Sequence, residues 1–151
     1  MKKSLLMIFL VVWIMFIFFN SVQTGTQSSE ASGFFTTFFK ALFDKIGWDI
    51  NWDNLSNLIR KSAHMLEFFV LALLFCFNFI AQDPLKKTIE KALLCSVAVA
   101  IVDEMIQLFV EGRSGSIIDV AIDNVGTVLA LAVFYIIFRN KKKNRPSSLN
   151  N

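Results

Sequence analysis

Hydrophobic residues come in four long runs, at about 4–20, 62–81, 92–110 and 117–138. Each is close to the roughly 20 apolar residues that cross a bilayer as a helix. The first run is the shortest and reaches full length by tilting or by extending toward Gln23. It follows Lys2 and Lys3 as a signal peptide would, but Phe18, Phe19 and Asn20 occupy the place of the small residues a cleavage site needs, so an uncleaved helix is expected. The pattern predicts an all-α integral membrane protein: about four transmembrane helices in a bundle plus one interfacial amphipathic helix, all in one domain over 1–151.

That extra helix is expected between the first two runs, in segment 21–59. The segment starts polar, then Phe35, Phe38, Phe39, Leu42 and Ile46 recur at helical spacing, with Thr36, Lys40, Asp44 and Lys45 on the other side. Trp48 and Trp52 follow, and tryptophan favours the membrane–water boundary. The pattern fits a helix lying in the interface and equally one packed on top of the bundle. Asn54-Leu55-Ser56 matches a glycosylation sequon, a three-residue pattern of low specificity.

Composition agrees. Of 151 residues 55% are hydrophobic and only 18% charged, too apolar for an ordinary soluble domain. Charge placement sets the orientation. With a cytoplasmic amino terminus, ten of the fifteen Lys and Arg residues fall inside, including Lys86, Lys87, Lys91 and five in the tail 139–151. The positive-inside rule then places both termini in the cytoplasm of a bacterial cell membrane and segment 21–59 outside. The basic tail directly follows an apolar run, so it reads as an inner-leaflet anchor and not as a nucleic-acid site. Cys76 and Cys95 lie within apolar runs and are expected to be packing residues.

Ionisable residues interrupt the spans, where each costs roughly 2.5–3.5 kcal/mol at a helix centre, so they mark candidate chemistry. His64 and Glu67 share a face of the second run. Asp103, Glu104 and Gln107 lie in the third, Asp119, Asp123 and Asn124 in the fourth. At a rise of about 1.5 Å per residue, these positions on three helices fall about 3–10 Å from their outer ends. They are expected to form one polar cluster in the outer leaflet half. The connection Glu111-Gly112-Arg113-Ser114-Gly115-Ser116 turns tightly above it, with Arg113 over the carboxylates and Ser116 an N-cap for the last helix. Gly126 is expected at a close helix contact. The candidate ligand-binding set is therefore His64, Glu67, Asp103, Glu104, Gln107, Arg113, Asp119, Asp123 and Asn124. Five carboxylates so close together must be protonated, hydrated, paired or bound to a cation. With no HExxH and a single histidine, no metal ligand set, cofactor or catalytic residue is assigned.

These residues resemble the VanZ-like family of bacterial membrane proteins. The likeness rests on Arg60-Lys61-Ser62-Ala63-His64-Met65-Leu66-Glu67-Phe68, on Asp103-Glu104-Met105-Ile106-Gln107-Leu108-Phe109, on Gly112-Arg113, and on Asp119-Val120 with Asp123-Asn124-Val125-Gly126. Phe19-Asn20-Ser21-Val22-Gln23 with Ser28-Ser29 also looks like that family's signature after its first helix. The chain departs from the pattern at Phe68, where tyrosine is expected, and at Glu111, where a small residue or proline is usual. The resemblance implies an association with resistance to teicoplanin-type antibiotics, at least for the family's namesake, and supplies no mechanism. Two functions are carried forward. One is binding of a lipid headgroup, lipid-linked cell-wall precursor or lipoglycopeptide at the bilayer surface. The alternative is an intramembrane hydrolase or transferase acting on a lipid-linked substrate. Transport ranks last, because the polar cluster lies away from the midplane.

Overall fold

The computed structural model describes residues 3–113 and 115–143. Lys2, Ser114 and residues 144–151, with that part of the expected basic anchor, lie outside the described residues. Among those described, the chain forms five helices: α1 (Lys3–Ser21), α2 (Gly25–Lys45), α3 (Trp52–Phe79), α4 (Leu85–Gln107) and α5 (Ile117–Lys143). α3 packs against all four others, and α4 also touches α5 and α1.

Three helices, α1, α3 and α5, are long and apolar enough to cross a membrane. Their apolar residues point outward as well as inward. On α1 only Leu10, Ile17 and Ser21 are buried, a single seam, while Met7, Phe9, Val12, Met15 and Phe19 are exposed. A helix apolar all round yet exposed needs a nonpolar solvent, so this is an all-α, multi-pass membrane protein. α4, at 23 residues, is also of spanning length, but Lys86, Lys87, Glu90 and Lys91 near one end and Asp103 and Glu104 near the other interrupt its apolar run.

The core lies between α1, α3, α4 and α5, built on Phe68, Leu71, Phe75, Leu131 and Phe134. α4 contributes a stripe of small residues: Thr88, Ala92, Ser96 and Ala100, spaced four apart, are all fully buried. Small side chains let helix backbones approach closely, which drives packing where the hydrophobic effect between helices is weak. Gly126 on α5 serves the same end as expected. A Cβ there would lie 1.9 Å from the Met65 carbonyl oxygen on α3. Cys76 is buried, Cys95 partly so, and both are free thiols.

The connection between the first two spans differs from expectation in two ways. The polar stretch after α1 is helical from Gly25 onward, because Thr24 and Gln27 form a reciprocal capping box. The hydroxyls of Ser29, Ser32, Thr36 and Thr37 then bond back to carbonyls of their own helix, which satisfies them locally. α3 starts at Trp52, ten residues ahead of the predicted run, capped by the Asn51 side chain. Its 28 residues span about 42 Å, more than the roughly 30 Å hydrocarbon core. α2 packs on α3 through its polar side, with Thr36 fully buried, while Phe34, Phe35, Phe38 and Phe39 remain exposed.

Replacing Gly126 with alanine is expected to push α3 and α5 apart and destabilise the protein by about 1–3 kcal/mol, measured by thermal unfolding of the detergent-purified protein.

Candidate functional site

The polar residues gather at the end of the bundle where α1 and α4 finish and α5 begins. Of the cavities there, two are lined by candidate residues. The larger, about 280 Å³, is lined by Asn57, Arg60, Lys61 and His64 of α3, Glu104 and Gln107 of α4, Gly112 and Arg113 of the turn, and Asp119, Ile122 and Asp123 of α5. The smaller, about 190 Å³, lies between α1, α2 and α3 and shares Arg60, His64 and Arg113 with the first, adding Asn20 and Glu67. Six of the nine candidate residues therefore line one cavity, and Glu67 lines its neighbour.

The other two are placed differently. Asp103 is fully buried behind the cavity, where its carboxylate accepts a hydrogen bond from the Ser21 hydroxyl and a second, at 2.9 Å, from Gln107 Nε2. Asn124 departs from expectation. It lines neither cavity, and its amide donates to the Val120 carbonyl one turn back at 2.7 Å.

The acids fall into two groups. The first group is partnered. Asp119 takes Lys61 at 2.6 Å. Glu67 accepts from Asn20 Nδ2 at 2.8 Å and lies 3.4 Å from His64 Nδ1. The second group is Asp103, Glu104 and Asp123, each of which offers an oxygen within 4.8 Å of the others'. Glu104 Oε2 accepts from the Ser116 backbone N–H at 2.8 Å, which ties the end of α4 to the start of α5. Ser116 in turn caps α5 as expected, its hydroxyl accepting from Ile118 N at 3.1 Å. Asp123 is only 3% exposed, and no hydrogen bond or ion pair reaches its carboxylate among the described residues.

Arg113 is expected over the carboxylates. It faces both cavities but bonds instead to the Asn20 carbonyl at 3.2 Å, and its buried Nε has no partner. Arg60 donates to Asn57 at 3.1 Å. Neither guanidinium forms an ion pair among the described residues. Burial, and then the nearby Arg60 charge, push the Arg113 pKa below its ordinary value, while the charges of Asp103, Glu104 and Glu67 partly offset them. The turn that carries Arg113 is held in place by Gly112. Its φ of +73° favours glycine, and Gly25 N–H bonds to the neighbouring Glu111 carbonyl at 3.2 Å.

Arg60, Lys61, Asn20 and Ser21 were missing from the candidate set. Arg60 and Lys61 sit directly before His64 in the segment that carries the family resemblance, and Asn20 and Ser21 lie in the signature after the first helix.

The fold and this polar end define a class: a multi-pass α-helical membrane protein with a charged cleft at one end of its bundle. Residues 6–139 match the family model described as VanZ/LLP1. The chain belongs to the VanZ/LLP1 family. No curated protein and no solved structure matches it significantly.

Ser21→Ala removes a donor from a fully buried carboxylate and is expected to cost about 1.5–3 kcal/mol. Lys61→Ala opens a partly exposed ion pair and is expected to cost less than about 1 kcal/mol. Thermal unfolding of the two variants side by side checks the order.

Proposed function

We propose that the cleft binds the polar headgroup of a membrane-anchored anionic or zwitterionic molecule: a lipid, a lipid-linked cell-wall precursor or a lipoglycopeptide. The observation that carries this reading is the pair of arginines, Arg60 and Arg113, which face the cavity and form no ion pair among the described residues. A phosphate or carboxylate matches the forked donors of guanidinium. Asp123 and Glu104, which line the same cavity, suit an amine or a cation carried with that anion. The exposed phenylalanines of α2 would lie in the bilayer interface and hold the cleft at headgroup level.

In this reading the chain is one domain with four spans, α4 being the fourth. Its buried stripe of small residues and its place against α1, α3 and α5 support that role, and its charges fall at the two membrane boundaries. The positive-inside pattern then puts both termini in the cytoplasm and the cleft outside. Resistance to teicoplanin-type antibiotics is the physiological role in keeping with this ligand class.

A second reading is an intramembrane hydrolase or transferase on a lipid-linked substrate. The observation that favours it is His64 beside Glu67, with His64 lining both cavities. A histidine oriented by a carboxylate is suited to proton transfer.

Two outcomes are expected. An alkaline phosphatase fusion after Lys45 is active, while a fluorescent-protein fusion at the carboxyl terminus glows in the cytoplasm; the reverse pattern overturns the topology. Short-chain phosphatidylglycerol binds the purified protein, and Arg113→Ala weakens it at least about tenfold, as loss of a charge-assisted hydrogen bond implies. Equal affinity in the variant would remove the headgroup reading.

A further inference from the structure

We infer that Asp103, Glu104 and Asp123 form a binding site for one hard divalent cation at the floor of the cleft. It deepens the headgroup reading, on which it rests only for the identity of the anion that the cation would share with Arg113.

The three side chains come from two helices and each places an oxygen within 4.8 Å of the others'. Ligands opposite one another across calcium are separated by about 4.6–5.2 Å, twice its usual bond length, and across magnesium by about 4.0–4.2 Å. Those are the largest separations two oxygens on one ion can have, so a trio within 4.8 Å of one another falls under the calcium limit, and a small closure brings it under the magnesium one. All the donors are carboxylate oxygens, the set that calcium, magnesium and manganese favour.

Three further observations point to a ligand. Asp123 is 97% buried by its 3% exposure, lines the cavity, and has no partner among the described residues. Neither nearby cation pairs with Asp123: Lys61 closes on Asp119, and Arg113 donates to the Asn20 carbonyl. The other two carboxylates are held from behind by donors, Asp103 by Ser21 and Gln107, Glu104 by the Ser116 N–H. Metal-ligating carboxylates are oriented by such outer hydrogen bonds, and N–H donors favour their ionised form. Three anions so close in an apolar bundle need positive charge, which a divalent ion supplies. A cation there would stand across the cavity from the two arginines, so that a phosphate could be held by both walls at once.

The test is a Mn²⁺ titration of the purified full-length protein, with free Mn²⁺ read by electron paramagnetic resonance. The expected result is one saturable Mn²⁺ per chain, displaced by Ca²⁺ or Mg²⁺, with at least a tenfold loss of affinity in Asp123→Asn and in Glu104→Gln. Arg113→Ala is expected to keep Mn²⁺ binding while losing phosphatidylglycerol, which separates the cation site from the headgroup reading. No saturable Mn²⁺ in the wild type overturns the site even if a variant fails to accumulate. Unchanged affinity in both carboxamide variants overturns it as well.

Discussion

A carboxylate among apolar helices must be answered by donors or by opposite charge, and at one end of this bundle several have to be answered at once. Their partners are spread across the fold. Ser21 at the end of α1 serves Asp103 on α4, Ser116 at the start of α5 serves Glu104 on α4, and Lys61 on α3 serves Asp119 on α5. Each contact ties a different pair of helices. The polar end is therefore both the costliest part of the structure to bury and the part that fixes how the helix ends meet.

The apolar remainder obeys a simpler rule. Where lipid surrounds a bundle, helices associate by close packing, and α4 with its small-residue stripe and α5 with Gly126 allow α3 to approach closely. Bulky residues that are left over, such as the phenylalanines of α1 and α2, face outward. The result is a firm, dry half joined to a half that encloses polar cavities.

That polar half holds both partnered and unpartnered groups. Lys61 pairs with Asp119, and His64 lies 3.4 Å from Glu67. Arg113 and Asp123, which have no ionic partner among the described residues, face into the cleft from different elements. Static ion pairs would have closed the cleft on itself. Leaving one positive and one negative wall open is what suits it to a ligand carrying both signs, or to an anion together with a cation.

Much of this was legible in one dimension. Long apolar runs mark the spanning helices because a bilayer demands about 20 apolar residues from each, and the cost of charge in those runs singled out His64, Glu104 and Asp123 before their geometry was known. Helical spacing also showed that α2 is amphipathic. Local pattern was less informative where capping and back-bonding decide. The polar stretch from Gly25 and the ten residues from Trp52 are helical because Thr24, Gln27 and Asn51 cap them and because serine and threonine hydroxyls find carbonyls on their own helix. What only the tertiary structure decided is direction. Asn124 shares a helix with Asp123 and is one residue away, yet the 100° step between neighbours turns it out of the cleft. Arg113 lies beside the acids in depth but bonds to the Asn20 carbonyl, and Asp103 and Asp123 meet although 20 positions separate them. Sequence determined which residues are costly to bury and roughly how deep they lie, because hydropathy and helical rise are local properties. Which of them face one another depends on the rotation and closeness of whole helices, and that is set by packing along their entire length.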